Sequence, residues 1–293
     1  MTDMTAPALA SAQTPSNRLL RDRALELVVH AALAEDVGEG DVTTEATVDA
    51  DAIGSAQLLV KEPGVVCGLA AAGAVFRAID PELRFEALVE EGTLVEHSAA
   101  VARVDGPERA ILTGERTALN FLGRLSGVAT LTRHYVDAVA GTGVAILDTR
   151  KTTPGLRLLE KHAVACGGGQ NHRFGLDDGV LVKDNHLRAA GSVRVAVERV
   201  RATTDLAIEV ECDTLAQVSE ALAADVDAIL LDNMTPGELR AAVALANGRA
   251  RLEASGGITL ENVRAVAETG VDEISIGALT HSARSLDVSL ELT

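Results

Sequence analysis

The sequence contains very few aromatic residues and few cysteines. Of its 293 residues none is Trp, one is Tyr and four are Phe, so we do not expect ligand recognition by aromatic stacking. The three cysteines, Cys67, Cys166 and Cys212, are too few and too widely spaced for a disulfide framework or a CxxC metal site. The sequence therefore predicts reduced thiols in a cytoplasmic protein.

The chain also lacks basic blocks and long apolar runs, and its first 14 residues lack the basic start and the apolar stretch that are typical of a signal peptide. Its formal net charge is −17, which argues against a nucleic-acid surface, because neutralisation of phosphates by Lys and Arg supplies much of that affinity. No apolar run approaches the roughly 20 residues that cross a bilayer. We therefore expect neither a nucleic-acid nor a membrane partner. Residues 1–15 are small and polar, and we expect them to be disordered.

The first half of the chain predicts an α/β domain over residues 16–126. Helical spacing of apolar residues indicates an amphipathic first helix with Ser16 available as its N-cap, and short alternating segments indicate strands. A Ser-Gly pair at 126–127 is expected to break a long helical stretch in two. The predicted helices cover 16–35, 107–125 and 127–140, and the predicted strands cover 55–62 and 98–106.

From residue 143 onward, short apolar runs alternate with helix-like stretches. Each run ends in a polar residue or a glycine, and successive markers lie 32, 28, 21, 23 and 22 residues apart. This spacing is typical of repeated βα units and predicts a parallel sheet covered by helices. Six consecutive units favour an α/β barrel over 127–281, and a doubly wound open sheet remains the alternative. The markers are Lys151, Lys183, Glu211, Asp232, Ser255 and Gly277.

The chemistry of these strand ends changes along the chain. Cations come first (Arg150, Lys151 and Lys183), and the carboxylates of Glu211 and Asp232 follow. Each residue alone could simply cap a helix or face solvent. Strands of one barrel direct their carboxyl ends to a common mouth, so the ordered set indicates a single pocket. The two carboxylates would suit Mg²⁺ bridging to substrate phosphates.

Two glycine-containing turns follow the last two apolar runs. In barrels the loops after the final strands frequently bind phosphate, because glycine exposes backbone N–H groups. Neither a phosphate-binding loop of the GxxxxGK[ST] type nor a dinucleotide fingerprint occurs. We therefore expect a phosphorylated substrate bound at the turns Ser255-Gly256-Gly257 and Ile276-Gly277-Ala278.

Residues 148–186 form a segment without net negative charge in an otherwise acidic chain. The segment contains six Lys and Arg residues and five Asp and Glu residues, and three of the seven histidines lie in it as well. Cations around a glycine-rich turn in an otherwise acidic protein indicate a site for a small anion with several charges.

These blocks together resemble the quinolinate phosphoribosyltransferase family. The resemblance rests on DTRKTTPGLRLLEKHAVACGGGQNHRFGLDDGVLVKDNH, on EVEC, LLDNM, EASGGI and ISIGALTHS downstream, and on ERTALNFLGRLSGVAT upstream. It implies an N-terminal α/β sandwich-like domain and a C-terminal seven-stranded barrel, with the tail at 282–293 packing back on the first domain. The six runs supply six barrel strands, and the seventh is not placed.

The resemblance also implies an activity. The family transfers phosphoribosyl from 5-phosphoribosyl 1-pyrophosphate to quinolinate with Mg²⁺, releasing pyrophosphate and CO₂ and leaving nicotinate mononucleotide for NAD synthesis. Arg150, His172, Arg173 and Lys183 would surround the quinolinate carboxylates. Arg116 would reach the neighbouring subunit's site in a homodimer.

The remaining implied roles concern the sugar diphosphate. Thr149 and Lys151 would line the pocket, with Lys151 between the two substrates. Glu211 and Asp232 would hold the ribose hydroxyls and Mg²⁺. The 5′-phosphate would lie on Ser255, Gly256, Gly257, Ile276, Gly277 and Ala278.

Two other functions remain open at this point. A related phosphoribosyltransferase could act on another aromatic acid such as nicotinate, but a monocarboxylate would leave surplus buried cations unpaired, which is costly. A non-catalytic sensor of quinolinate is the second alternative, and it would have no need of Lys151, Glu211 and Asp232.

Overall fold

The computed structural model describes residues 15–293, with side chains from residue 23 onward. The predicted disorder of residues 1–15 therefore concerns residues outside this description, apart from Pro15, which begins a helix; Ser16 lies inside that helix, so the prediction of Ser16 as its N-cap is wrong. Within the described part, no helix is both long and apolar enough to cross a membrane. The helices are α1 (Pro15–Asp36), α2 (Val42–Thr47), α3 (Leu69–Ile79), α4 (Glu108–Ala138), α5 (Arg157–Cys166), α6 (Asp184–Ala190), α7 (Val193–Arg201), α8 (Leu215–Ala223), α9 (Pro236–Ala246), α10 (Val263–Ala267) and α11 (Ala278–His281). The strands are β1 (Ile53–Val60), β2 (Gly64–Val65), β3 (Arg84–Ala87), β4 (Leu94–Val95), β5 (Ala100–Pro107), β6 (Ala145–Leu147), β7 (Val180–Val182), β8 (Ile208–Cys212), β9 (Ala228–Asp232), β10 (Arg251–Ser255), β11 (Glu273–Ser275) and β12 (Val288–Leu292).

An antiparallel sheet organises the N-terminal part of the molecule. Its strand order is β12-β1-β5-β3, and every neighbouring pair is antiparallel. Alternate residues of β1, namely Ala56, Leu58 and Val60, are fully buried, as expected for a strand with one face on the core. The strands predicted at 55–62 and 98–106 correspond to β1 and β5. The last strand of the chain, β12, completes this sheet.

The C-terminal part is a parallel sheet wrapped by helices. The strand order is β6-β11-β10-β9-β8-β7, and all neighbouring strands are parallel. The six strands are those that the apolar runs predict, and the interior of β9 is buried throughout. This architecture confirms the predicted α/β barrel domain joined to an N-terminal domain, and it directs the carboxyl ends of all six strands to one mouth.

A single-residue bridge takes the seventh position in the sheet. Gln170 pairs in parallel with Leu147 of β6, with its N–H donating to Ile146 O at 2.8 Å and its carbonyl accepting from Asp148 N at 3.1 Å. Among the described residues no backbone hydrogen bond joins Gln170 to β7, and a side chain spans the gap instead: Arg173 Nη1 donates to Gly179 O at 3.0 Å. The strand is too short to leave an apolar run in the sequence.

The predicted helix break at Ser126-Gly127 is wrong. Helix α4 runs without interruption from Glu108 to Ala138. The glycine serves close packing instead, because a Cβ at Gly127 would collide with the carbonyl oxygen of Arg284. Ser126 is also used in packing, since its hydroxyl accepts from Cys67 N at 2.9 Å and donates to Cys67 O at 3.0 Å. Small residues in α4 therefore let other segments approach the helix.

Candidate active site

Three cations lie at adjacent strand ends on one side of the barrel mouth. Arg150 follows β6, Arg173 follows the Gln170 bridge and Lys183 follows β7. The Arg150 Nε atom is buried and has no hydrogen-bond partner among the described residues. Burial and the nearby Arg150 charge both lower the pKa of Arg173. Two neighbouring guanidinium groups, one with an unsatisfied buried donor, form a site that an anion would stabilise.

A buried ion pair holds the segment that carries these cations. Asp148 is fully buried and forms an ion pair with Lys161. Asp148 Oδ1 also accepts from His172 N at 2.9 Å, while Lys161 Nζ donates to His172 O at 2.9 Å. Burial raises the pKa of Asp148 to about 6, although Lys161 acts in the opposite direction. The ion pair therefore binds both the backbone N–H and the backbone carbonyl of His172, and this fixes the position from which the Arg173 side chain extends.

The imidazole of His172 lies in a buried group of carboxylates, which we call the deep cluster (His172, Glu209 and Glu253). His172 Nε2 is 2.9 Å from Glu209 Oε2 and 3.3 Å from Glu253 Oε2. The two glutamates are 7% and 1% exposed. Burial alone would lower the pKa of His172, but the two carboxylates outweigh it and raise the pKa to about 10. Burial raises the pKa of Glu253, and His172 partly offsets that effect.

The two ring nitrogens of His172 have opposing requirements. Arg173 N donates to His172 Nδ1 at 2.7 Å, which requires an unprotonated Nδ1, whereas the carboxylates favour the doubly protonated ring. The carboxylates determine the protonation state, and the ring is doubly protonated, because a charged hydrogen bond contributes about 1.5–3 kcal/mol and a neutral one about 1 kcal/mol. The sequence predicts that His172 touches substrate carboxylates, but here the ring Nε2 already has Glu209 and Glu253 as partners.

A second acidic group lies at the mouth of the barrel, and we call it the mouth cluster (Glu211, Asp213 and Asp232). One carboxylate oxygen from each residue lies within 4.8 Å of the others. Burial raises the pKa values of Glu211 and Asp232, and the mutual repulsion of the carboxylates adds to this. Three clustered carboxylate oxygen donors fit a hard divalent cation such as Mg²⁺. The sequence predicts two of the three, and it misses Asp213.

Lysines border the mouth cluster on two sides. Lys183 Nζ lies 3.6 Å from Glu211 Oε2. Lys151 lies beside the turn after β11, since a Cβ at Gly277 would be 2.9 Å from Lys151 Cδ. Both lysine charges act to lower the pKa of Asp232, so the cationic and acidic strand ends do converge. Thr280 Oγ1 donates to Lys151 O at 2.8 Å and holds the lysine backbone in this position.

The two glycine turns lie at the strand ends next to Asp232. Gly256 has φ +90°, and a Cβ there would collide with Asn233 Oδ1. Asn233 in turn donates to Asp232 Oδ2 at 2.7 Å. In the described part of the chain, the backbone N–H groups of Gly256, Gly257 and Gly277 donate to no backbone carbonyl. Free N–H groups at a barrel mouth suit phosphate oxygens.

Arg116 is the predicted site residue that the structure does not bring to this mouth. It lies exposed on α4, in a groove of about 490 Å³ between α1, α4, the start of α5 and the C-terminal segment. Among the described residues none of its interactions involves the strand-end cations. Thr149 does lie with them, and its Oγ1 accepts from Lys151 N at 3.1 Å.

Buried acidic residues are the main part of the site that sequence reasoning missed. Glu253 lies two residues before Ser255 on β10, as Glu209 lies two before Glu211 on β8. Charges inside apolar strands were an available signal, but their partner, His172, comes from a distant segment. Glu160, also fully buried, was missed as well. It accepts from Thr153 N at 3.0 Å and from Arg124 Nη2 at 2.7 Å, which joins the loop after β6 to α4.

Comparison with known proteins gives consistent matches along the chain. A family model described as quinolinate phosphoribosyl transferase, N-terminal domain, matches residues 41–126, and the C-terminal domain model matches residues 128–291. A Synechocystis protein described as a probable nicotinate-nucleotide pyrophosphorylase (carboxylating) is 48% identical over 265 residues, covering 89% of this chain and 90% of the relative.

Two further matches extend this similarity. Quinolinate phosphoribosyltransferase (decarboxylating) 1b of Nicotiana tabacum is 43% identical over 289 residues, covering 92% of this chain and 82% of the relative. The solved structure of the nicotinate-nucleotide pyrophosphorylase from Francisella tularensis superimposes with a TM-score of 0.91 at 36% identity, covering 99% of this chain and 100% of that one.

Proposed function

The chain belongs to the quinolinate phosphoribosyltransferase family, and we propose that it transfers phosphoribosyl from 5-phosphoribosyl 1-pyrophosphate to quinolinate, giving nicotinate mononucleotide, CO₂ and pyrophosphate. The observation that carries the proposal is the unsatisfied, buried Arg150 Nε beside Arg173. Two neighbouring, partly buried guanidinium groups match a dicarboxylate better than a monocarboxylate, because each carboxylate would neutralise one guanidinium.

Quinolinate would bind at the cationic side of the mouth. Arg150 and Arg173 would each bind a carboxylate through a planar guanidinium, with Lys183 completing the clamp. His172 would contribute positive charge, because its Nε2 is bound to the buried carboxylates, and its fixed backbone would position Arg173. Thr149 would support the turn from which Arg150 and Lys151 extend.

The sugar diphosphate would bind across the acidic side. Gly256, Gly257 and Gly277 offer free N–H groups for the 5′-phosphate, with Ser255, Ile276 and Ala278 lining the same turns. Glu211 and Asp232 would hold the ribose hydroxyls. The mouth cluster fits Mg²⁺ in charge and donor type, and when bound the ion would neutralise pyrophosphate charge as that group departs.

The reaction requires opposite charges close together. As the bond from ribose C1 to pyrophosphate oxygen breaks, positive charge develops on the sugar, and the carboxylates of Glu211 and Asp232 would stabilise it. Lys151, between the two substrates, would stabilise the leaving pyrophosphate. The pyridine nitrogen then bonds to C1 and becomes positive. The adjacent carboxylate leaves as CO₂, its bonding electron pair remains on the ring carbon, and a proton takes its place.

We also propose a homodimer in which Arg116 acts in the neighbouring subunit's site. Arg116 is exposed on α4 and takes no part in the mouth of its own chain, so a role in substrate binding requires a second copy. A cytoplasmic location is our further proposal, because Cys67, Cys166 and Cys212 are all free thiols and reducing compartments maintain that state.

The decisive assay supplies the purified chain with Mg²⁺, 5-phosphoribosyl 1-pyrophosphate and quinolinate. We expect nicotinate mononucleotide and CO₂ in equal amounts. The Arg150→Ala variant should raise KM for quinolinate strongly, and Arg194→Ala, an exposed residue paired with Glu198 on α7, is the matched control. Turnover of nicotinate without turnover of quinolinate would contradict the proposal.

Subunit mixing tests the dimer. Arg116→Ala and Lys151→Ala are each expected to be nearly inactive, but mixed dimers would contain one site with both residues intact. Exchange of subunits should therefore restore part of the activity. If exchange is demonstrated by mass labelling and activity stays at the level of the separate variants, the shared site is excluded.

A further inference from the structure

Four potential metal ligands meet at a place remote from the barrel mouth. We call them the thiol cluster (Cys67, Glu91, His162 and Cys166). One ligand atom from each residue lies within 4.8 Å of all the others. Cys67 follows β2 and Glu91 lies between β3 and β4, whereas His162 and Cys166 lie on α5. The cluster therefore joins the N-terminal domain to the barrel.

Two of the distances between these ligand atoms are close to those of a tetrahedral coordination sphere. Zinc bonds to nitrogen, oxygen and sulfur at about 2.0–2.3 Å, which places ligand atoms about 3.3–3.8 Å apart. Cys166 Sγ is 3.5 Å from His162 Nε2, and His162 Nε2 is 3.9 Å from Glu91 Oε2. His162 and Cys166 are four residues apart on one helix and thus share a face.

The ligands are held in place by contacts behind them. Glu91 Oε2 accepts from Gly68 N at 2.8 Å, and Glu91 Oε1 accepts from Ala70 N at 3.2 Å. The Cys67 backbone is held on both sides by the Ser126 hydroxyl. Hydrogen bonds to groups around ligands orient them before a metal arrives. A cation would therefore need little rearrangement to bind.

The protonation chemistry of the two thiols suits a soft divalent metal. The hydrogen bond with Cys67 and the nearby His162 lower the pKa of Cys166 to about 6, against the effect of burial. A thiolate, and not a thiol, is the form that binds metal. Cys166 and burial both raise the pKa of Cys67, so Cys67 would lose its proton when a metal binds.

We propose that the thiol cluster is a structural zinc site with two thiolates, one imidazole and one carboxylate as ligands. Four protein ligands close the coordination sphere, which is the pattern of structural and not of catalytic zinc. Access is available from the side of His162, whose side chain is 52% exposed. Bound zinc would fasten α5 to the N-terminal domain, and the segment after α5 leads through Gln170 to His172 and Arg173.

A cobalt titration of the chelator-treated, reduced, full-length chain tests the proposal. We expect one Co²⁺ per chain with the visible bands of tetrahedral coordination and a thiolate-to-cobalt charge-transfer band, both abolished by Zn²⁺. Cys67→Ser and Cys166→Ser should each lose about half of the charge-transfer band, because one thiolate ligand remains; the double variant should lose the band entirely, and His162→Ala should lose the tetrahedral bands. Cys212→Ser is the matched control and should behave as the parent chain. The charge-transfer band is specific, because the mouth cluster offers only oxygen.

Thermal unfolding supplies a second readout in case a variant folds poorly. Zinc should raise the Tm of the chelator-treated parent chain and of Cys212→Ser, but not that of Cys166→Ser. Three outcomes would overturn the proposal: absence of the charge-transfer band in the parent chain, its persistence in the double variant Cys67→Ser/Cys166→Ser, or a native mass lower by two hydrogens that the Cys166→Ser variant does not show, because Cys166 would then be in a disulfide instead.

Discussion

The deep cluster and the mouth cluster use the same residue type at two depths of one barrel. Glu209 and Glu211 lie two positions apart on β8, so both face the interior. Glu209 is 7% exposed and has His172 at 2.9 Å, whereas Glu211 is more exposed and has Lys183 at 3.6 Å. The deep carboxylates thus have their cation within the protein, while the mouth carboxylates outnumber theirs. The position of a carboxylate along the barrel strand thus determines whether it is paired within the protein or remains available to ligands.

The largest expected effect is the loss of catalysis from the mouth cluster. Glu211→Gln and Asp232→Asn remove negative charge where the sugar becomes positive, and we expect kcat to fall about 10²–10³-fold. The free energy of unfolding should change by less than about 0.5 kcal/mol. Steady-state kinetics and urea unfolding measure the two effects. A large loss in the free energy of unfolding that accompanies the loss in kcat would show that the mouth cluster has a structural role.

Glu209→Gln, on the same strand, should change the free energy of unfolding more than Glu211→Gln does. The amide keeps the shape but removes the charge opposite His172, and we expect a loss of about 1–3 kcal/mol in the free energy of unfolding. Glu211→Gln serves as the matched control for position and chemistry. A Glu209→Gln variant as stable as the parent chain would mean that the deep pair contributes nothing to folding.

The pH dependence of stability should separate the clusters further. His172 has a pKa of about 10 in the fold and about 6.5 when unfolded, so its stabilisation is complete below pH about 6.5 and is lost as pH rises towards 10. Lys161, whose pKa burial lowers, acts in the opposite direction near the upper limit. We therefore compare the parent chain with Glu209→Gln, where the decline should be smaller by about 1–2 kcal/mol. Identical pH curves would contradict the charged state of His172.

The smallest expected effect concerns the glycines beside Asp232. Gly257→Ala adds only the strain of a residue at φ +62° with open space around it, which costs about 1 kcal/mol. Gly256→Ala carries similar strain and also displaces Asn233 from Asp232. We expect an additional rise in KM for the sugar diphosphate in Gly256→Ala alone. Equal KM values in the two variants would exclude Asn233 as a support of Asp232.

The regular parts of the barrel could be predicted because their signal is local. A buried parallel strand leaves an apolar run that ends at a polar residue, and this pattern located β6 to β11. The bridge at Gln170 has no such run, since one residue suffices for the pairing. The helix break predicted at Ser126 and Gly127 was wrong for a related reason. Small residues mark both helix ends and close contacts, and only the position of Arg284 distinguishes the two.

The site was predictable where residues act at strand ends, and unpredictable where distant segments meet. Lys151 and Asp232 lie at the mouth as the order of charges along the chain indicates. The partners of His172 come from β8 and β10, and no spacing in the sequence connects them. Cys67 and Cys166 looked scattered for the same reason, because the packing of α5 against the N-terminal domain brings them together.

The position of β12 has a consequence for how the chain is made. Leu290 of β12 pairs with Leu58 of β1, so the N-terminal sheet needs residues that leave the ribosome after those of the barrel. Pairings between such distant positions form slowly, because a long loop must close first. The barrel segments emerge in between and can assemble while the outer edge of β1 is still unpaired. The N-terminal sheet, whose strand β1 precedes the barrel, is thus completed only after the barrel segments have been synthesised.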